Sequence, residues 1–240
     1  MKHKKDLSPV VPQRDKLSAR LTIRPLNWTP KQKAFLELAF DKHHSIIFVN
    51  GPAGTAKTLL ASYVALELLN DHRVSDILYL RSAVESSDSK LGYLPGEVKD
   101  KMAYYGIPFQ DKLEELLKYS EINMLAKEAR IDIQPVNFIR GQNWNARAVI
   151  IDEAQNMTMK ELITVLTRMG KYSKCFVLAD PMQSDINGKS GAFAQLFQVF
   201  NDQDSKDNGV VTFTLTEDDI MRSELVKFLV KKFKTVKAHQ

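Results

Sequence analysis

The sequence predicts an α/β fold with a mostly parallel sheet. Short, almost wholly apolar runs such as 45–49 and 148–151 are typical of strands that are buried on both faces. Segments with helical periodicity lie between these runs, and this alternation of strands and helices favours βαβ units. The length of 240 residues fits one such domain at 21–240, preceded by a flexible basic arm at 1–20.

The first helix is predicted from its own capping residues. Thr29 is a good N-cap and Pro30 suits the first helical position, so we expect a helix that runs to about Phe40. A glycine-rich turn separates the next two elements. In order, we expect strand 45–49, helix 57–69 and strand 76–81.

A long charged section at 84–130 follows and reads as mostly helical. Strong helix breakers interrupt it at Leu94–Gly96 and at Gly106–Pro108. Two roles are open for this insertion: a subunit contact or pore-lining element, or a helical cover for one face of the sheet.

The second half of the chain continues the alternation. We expect strands at 131–136, 148–151, 174–179 and 210–216, and helices at 158–169 (with Gly170 at its end), 191–200 and 218–233.

Composition excludes several classes of protein. The chain is 44% hydrophobic and 26% charged, as in ordinary globular domains, and has no apolar run of transmembrane length. The N-terminus lacks the apolar stretch of a secretory signal. The single cysteine, Cys175, excludes a disulfide framework and a cysteine-based metal site, and the five histidines show no metal-ligand spacing. We therefore expect a cytoplasmic protein.

The positive charge is concentrated at the two ends of the chain. Residues 1–20 carry a net +4 and residues 222–240 a net +5, which leaves 5 − 9 = −4 for residues 21–221. Basic ends can bind polyanions through phosphate neutralisation, and they can equally be solvated tails that aid solubility.

A phosphate-binding loop (the P-loop, residues 51–58) lies directly between a buried strand and a helix. The backbone N–H groups of such a loop converge on phosphates, and the positive end of the helix adds to the attraction. We expect Lys57 to neutralise β/γ-phosphate charge and the Thr58 hydroxyl to bind Mg²⁺. Ala56 stands where the strict pattern has glycine, and its methyl group predicts crowding of the phosphates or backbone strain. The nucleotide-binding residues are Gly51, Pro52, Ala53, Gly54, Thr55, Ala56, Lys57 and Thr58.

Carboxylates follow the apolar run 148–151, at the strand edge where ligands bind in open α/β sheets. Asp152 is expected to hold Mg²⁺ and Glu153 to orient or deprotonate an attacking water. An amide, Gln183, follows the next strand and is a candidate contact for the γ-phosphate or the water. The structural alternatives are an acidic turn at Asp152 and an Asp-Pro turn at 180–181, just before Gln183.

Together these residues resemble the PhoH-type ATPases, a RecA-like P-loop family related to superfamily-one helicases. The resemblance runs from about Thr29 to Lys232. The segments that carry it are NGPAGTAKT at 50–58, KLGYLPGEVKDK at 90–101, FIRGQNWNARAVIIDEAQNMTMKELITVLTRMG at 138–170, ADPMQSD at 179–185 and DIMRSELVKFL at 219–229. It implies a three-layer RecA-like P-loop NTPase core with a helical insertion, and ATP and Mg²⁺ as ligands.

The resemblance implies roles for five further polar residues. Gln32 resembles the glutamine that reads adenine, and Gln183 matches the glutamine of helicase motif III. Arg222 resembles the arginine that stabilises transition-state charge, and Arg168 is a second candidate. Arg81 lies where related motors contact nucleic acid or couple it to the nucleotide. The alternatives are that Gln32 faces solvent on a helix and that each arginine forms a surface salt bridge.

The sequence departs from the family pattern at several points. Ala56 and Ala179 replace the usual glycines, Ser82 replaces a proline, and residues 102–108 are atypical. Some relatives carry an added PIN nuclease domain, which we do not expect here. Compact members of this kind are common among phage-encoded relatives, which would place the protein in a host cytoplasm.

Three functions compete at this point. The first is an oligomeric ATPase motor or helicase on single-stranded RNA or DNA, for which we expect a hexameric ring with an arginine supplied in trans. The second is a nucleotide-dependent switch that acts on a protein partner. The third is a small-molecule kinase, which the absence of arginine at 84–129 disfavours.

Overall fold

The core of the computed structural model is a six-stranded sheet in the order β3-β2-β4-β5-β1-β6, and every neighbouring pair is parallel. The structure describes residues 16–82, 98–136, 139, 143–180 and 191–221, together with positions 225, 228, 229 and 232. The strands are β1 (Ile46–Asn50), β2 (Asp76–Arg81), β3 (Ile131–Pro135), β4 (Arg147–Asp152), β5 (Lys174–Ala179) and β6 (Val210–Thr214). The predicted parallel sheet is confirmed.

Helices cover both faces of this sheet. They are α1 (Pro30–Phe40), α2 (Lys57–Asn70), α3 (Val98–Leu116), α4 (Tyr119–Lys127), α5 (Met159–Leu166), α6 (Ala192–Val199) and α7 (Gln203–Asp207), with 3₁₀ turns at Ala154–Asn156 and Glu217–Asp219. No helix in the described part of the chain is long and apolar enough to cross a membrane.

Two apolar cores give the predicted three layers. Strand side chains alternate between the faces, so that Ile47 packs with α1 to α4 while the adjacent Phe48 packs with α5 and α6. β5 is buried at all six positions, as expected for a central strand of a parallel sheet.

The start of α1 follows from local chemistry. The Thr29 hydroxyl accepts a hydrogen bond from the backbone N–H of Gln32, and the Gln32 side-chain oxygen accepts one from the Thr29 N–H at 2.9 Å. This capping box, with Pro30 at the first turn, fixes the predicted helix start.

The predicted break at Gly106–Pro108 is wrong, because α3 runs through it with Pro108 inside the helix. Tertiary packing overrides the local signal. A Cβ on Gly106 would lie 2.8 Å from Ile133 Cδ1, so glycine allows α3 to approach β3 closely. One turn on, the buried Phe109 ring stacks on Tyr79 with centroids 4.8 Å apart. The other predicted break, at 94–96, lies outside the described residues.

Two more predicted ends are wrong. α5 stops at Leu166 instead of 169, because the chain turns to pair with the segment before β4: Trp144 N–H donates to Arg168 O at 2.9 Å and Gly170 N–H donates to Trp144 O at 2.7 Å. The last helix does not start at 218, since 217–219 form a 3₁₀ turn and Ile220 is extended. Positions 225, 228, 229 and 232 are helical.

Candidate functional site

The P-loop joins the carboxyl end of β1 to α2 and is tied to its neighbours by backbone hydrogen bonds. Gly51 N–H donates to Ala179 O of β5 at 3.2 Å, and Met221 N–H donates to Gly54 O at 3.0 Å. Gly51 is required for close packing, because a Cβ there would lie 2.9 Å from the Leu215 Cβ. The loop is therefore positioned by β5 on one side and by the segment that follows β6 on the other.

Ala56 occupies the N-cap of α2 in the left-handed conformation, with φ 65° and ψ 26°. Of the two consequences predicted for its methyl group, the structure shows the backbone strain, since this region favours glycine. As an alanine, this N-cap residue makes no side-chain capping hydrogen bond to the first turn of α2. The N–H groups of this turn are therefore available to an anion, as at other helix N-termini that hold phosphates.

Lys57 is folded back onto the loop. Its Nζ donates to Gly51 O at 2.8 Å and to Pro52 O at 3.1 Å. Burial lowers the pKa of this lysine, and the nearby carboxylates of Asp180, Asp152 and Glu153 act in the opposite direction. The three carboxylates thus favour a charged ammonium beside the loop.

Asp152, at the end of β4, is only 6% exposed and is held by three donors. Its Oδ2 accepts hydrogen bonds from Thr58 Oγ1 at 3.1 Å and from the Tyr79 hydroxyl at 2.8 Å, and its Oδ1 accepts from the Glu153 N–H at 3.1 Å. Burial and the Asp152 charge raise the pKa of Tyr79. The hydroxyl of Tyr79 therefore stays a donor and fixes the carboxylate.

The Thr58 and Asp152 oxygens suit a hard cation such as Mg²⁺. Within the described residues, no group of three or more histidine, cysteine, aspartate or glutamate side chains could hold a metal. Mg²⁺ does not require such a group, because it is usually bound through one or two protein groups together with water and substrate phosphates.

Glu153 is placed by a second network. It has a left-handed backbone (φ 55°), and its Oε2 accepts a hydrogen bond from Gln155 Nε2. Gln155 in turn accepts from the Asp180 N–H at 3.0 Å. Arg81 Nη2 lies 4.0 Å from the other carboxylate oxygen. The Glu153 carboxylate is therefore oriented from the ends of both neighbouring strands, β2 and β5.

These residues line one cleft of about 330 Å³. The P-loop contributes Ala53, Gly54, Ala56, Lys57 and Thr58, and the strand ends contribute Asp152, Glu153, Gln155, Ala179 and Asp180. The predicted P-loop and carboxylate residues are thus brought together.

Two charged cleft residues were missed by the sequence analysis. Lys112 and Glu115 of α3 line the cleft and form an ion pair of 2.9 Å. Their i, i+3 spacing marks one helix face, but nothing in the sequence indicates that α3 packs beside the P-loop. The role of Tyr79 was missed for the same reason.

The other predicted residues lie elsewhere. Gln32 is fully buried, which removes the solvent-facing alternative, and its Nε2 donates to Thr55 O at 3.3 Å and Asp219 O at 3.2 Å. Its spacing from Thr29 is itself a capping-box signature, which the sequence analysis did not use. Arg168 is half-buried after α5 and does not line the cleft. Gln183 and Arg222 lie outside the described residues.

Comparisons with known proteins match this chain to one family and to several of its members. The profile of the family described as PhoH-like protein matches residues 22–234. The chain is 34% identical over 206 residues to a PhoH-like protein of Synechocystis, covering 85% of this chain and 61% of that protein. A PhoH-like protein of Bacillus subtilis is 33% identical over 82% of this chain and 60% of its own length. One of Mycobacterium tuberculosis is 35% identical over 87% and 57%. The chain thus spans about three fifths of these relatives.

Proposed function

We propose a function from the premise that this chain belongs to the PhoH-like family, a family of the P-loop ATPase type. The chain binds ATP with Mg²⁺, hydrolyses it, and works as an oligomeric motor on single-stranded nucleic acid, with RNA as the first candidate. One observation carries the proposal: Lys57, Thr58, Asp152 and Glu153 face a single cleft at the carboxyl edge of a parallel sheet.

The P-loop and α2 would hold the phosphates. The uncapped N–H groups of the first turn of α2 and the loop amides donate to phosphate oxygens. Lys57 exchanges the Gly51 and Pro52 carbonyls for β/γ-phosphate oxygens, which are stronger, charged acceptors. Thr58 and Asp152 hold Mg²⁺, which when bound neutralises charge on the β- and γ-phosphates.

Glu153 would act on the attacking water. Its carboxylate accepts a hydrogen bond from the water, orients it and takes up its proton. Gln155 and Arg81 keep the carboxylate from rotating away, and Gln155 also links it to the Asp180 backbone. Gln183 is proposed to contact the γ-phosphate or the water.

Completion of the site would need a second subunit. Among the described residues, the cleft is lined by two lysines, Lys57 and Lys112, and by no arginine. Arg222 or Arg168 of a neighbouring copy would supply the missing charge in a hexameric ring. Exposed apolar side chains of the last helix, Leu225, Phe228 and Leu229, follow i, i+3, i+4 spacing and offer one face for this contact.

The nucleic-acid role is supported by the basic ends of the chain. Gln32, which the resemblance gives as the adenine-reading residue, has its amide bonded to Thr29, Thr55 and Asp219 and is not part of this proposal. A nucleotide-dependent switch on a protein partner is the second candidate, because the strained Ala56 favours slow turnover.

The test is steady-state ATPase activity with and without single-stranded RNA or DNA at low salt, beside a mass measurement of the assembly. Stimulation by one polymer in an oligomeric species is the expected result. Turnover that neither polymer changes would contradict the motor and favour the switch. Glu153→Gln should be inactive in all conditions and serves as the blank for contaminating ATPases.

A further inference from the structure

A second cavity lies at the amino-terminal edge of the sheet, opposite the edge that carries the P-loop. We call it the amino-edge cavity. It measures about 630 Å³ and is lined by the segments that lead into β1, β2, β4 and β5. Because all strands are parallel, these four segments meet at one edge.

The amino-edge cavity is strongly basic. Within the described part of the chain no carboxylate side chain lines it, whereas five basic residues do: Lys42, His44, His72, Arg73 and Lys174. The nearby Asp41 offsets part of this charge, since its Oδ2 lies 3.9 Å from His44 Nδ1. The cavity therefore has a net positive charge, although residues 21–221 as a whole have a net charge of −4.

Two of the cations are held in place. Lys174 is 5% exposed, and its Nζ donates to Ala39 O at 2.5 Å and Asp41 O at 2.6 Å. Arg73 Nη1 donates to Phe40 O at 2.8 Å. Burial and the neighbouring Arg73 charge lower the pKa of Lys174 to about 8. A bound anion would relieve this repulsion, so the arrangement favours one.

Lys174 and Arg73 also cap the C-terminus of α1, but this capping role does not account for the residues at the mouth of the cavity. His72 and Tyr172 have φ 54° and φ 63°, in the region where glycine is least strained. They place an imidazole and a 75% exposed phenol ring beside the cations. The left-handed backbone of His72 is itself part of the cap that ends α2, since the His72 N–H donates to Leu69 O at 3.2 Å and the Arg73 N–H donates to Leu68 O at 2.9 Å.

We propose that the amino-edge cavity is a second phosphate-binding site, which takes a phosphate of a nucleotide or of a single-stranded nucleic acid. Lys42, Arg73 and Lys174 neutralise the phosphate, the His72 imidazole donates a hydrogen bond to it, and Tyr172 stacks on the attached base. The site is separate from the P-loop. Binding there should therefore survive Lys57→Ala, and its failure would not affect the proposed ATPase.

The experiment measures fluorescence anisotropy of a labelled oligouridylate with the full chain at low salt. Tyr172→Ala should weaken binding about fivefold to 150-fold, the range of one lost base stack. Lys42→Glu should weaken it and lower the slope of log K against log salt by about 0.7 or more. Lys160→Glu, an exposed lysine on α5 outside both cavities, is the matched control and should bind like the wild type.

Calorimetry with uridine monophosphate, in the Lys57→Ala background, separates the two sources. Monophosphate binding that Lys42→Glu abolishes would identify a mononucleotide site. Oligouridylate binding that Lys42→Glu weakens, without measurable monophosphate binding, would identify a strand site. If Lys42→Glu and Tyr172→Ala bind both probes as Lys160→Glu does, the proposal is overturned.

Discussion

Replacing Ala56 by glycine removes a methyl group from a left-handed residue at the start of α2, with φ 65° and ψ 26°. An L-residue in this conformation is disfavoured by about 1–2 kcal/mol, and the greater freedom of glycine in the unfolded chain takes back about 0.5–1 kcal/mol. The net gain is about 0.5–1 kcal/mol. Loss of the half-buried methyl group offsets part of it.

The same substitution at two other alanines provides the comparison. Ala34→Gly, exposed within α1, should destabilise by about 1 kcal/mol. Ala129 is exposed after α4 and has φ 51°, so Ala129→Gly should stabilise the domain by about as much as Ala56→Gly does. At about 2–4 °C per kcal/mol for a domain of this size, Ala56→Gly should melt about 3–8 °C above Ala34→Gly.

Thermal unfolding by circular dichroism measures these differences, and ATP titration adds a second readout. Because Ala56 lines the cleft, Ala56→Gly should also lower the Kd for ATP, whereas Ala129→Gly should leave it unchanged. If Ala56→Gly melted as low as Ala34→Gly, the argument from backbone strain would be refuted.

Three further predictions concern the stability of the domain. Tyr79→Phe removes the hydrogen bond to Asp152 and should lower the free energy of unfolding by about 1.5–3 kcal/mol in urea titration, with reduced ATPase activity; unchanged stability would contradict that bond. Burial raises the pKa of Cys175, so its contribution to stability is complete below the unfolded pKa of about 8.5 and is lost as pH rises. Relative to Cys175→Ala, the free energy of unfolding of the wild type should therefore fall by about 1.4 kcal/mol per pH unit above about pH 9, as measured in urea titrations. If the unfolding free energies of the two proteins changed with pH in parallel, this prediction would be wrong. Gly170→Ala would place a Cβ 2.7 Å from Trp144 O and should destabilise the domain by about 1–3 kcal/mol. If the variant had the melting temperature of the wild type, the turn would have to accommodate the methyl group without cost, against this prediction.

The parts of the fold that were predictable are those whose signal is local. β5 was found with its full range because the five residues that follow Lys174 are all apolar, a pattern typical of a strand buried on both faces. α1 was found because Thr29 and Pro30 specify its start without any tertiary contact.

The parts that were missed depend on distant neighbours. α3 continues through Pro108 because Phe109 and Gly106 pack on the sheet, and no local pattern reports this. Similarly, Tyr79 reaches Asp152 only because β2 and β4 are adjacent, with Arg81 paired to Asp152 in the register. The P-loop and its carboxylates were found because their spacing and strand context carry the chemistry. The position of Lys112 in the cleft was not predicted, because it depends on where α3 packs against the rest of the domain.

The most direct test of the account is a calorimetric titration of Mg²⁺-ATP into the wild type, Glu153→Gln and Lys57→Ala, with phosphate release measured on the same samples. We predict that Glu153→Gln binds ATP as the wild type does but releases no phosphate, and that Lys57→Ala binds ATP much more weakly. Unchanged affinity in Lys57→Ala, or continued turnover in Glu153→Gln, would contradict the proposed nucleotide site.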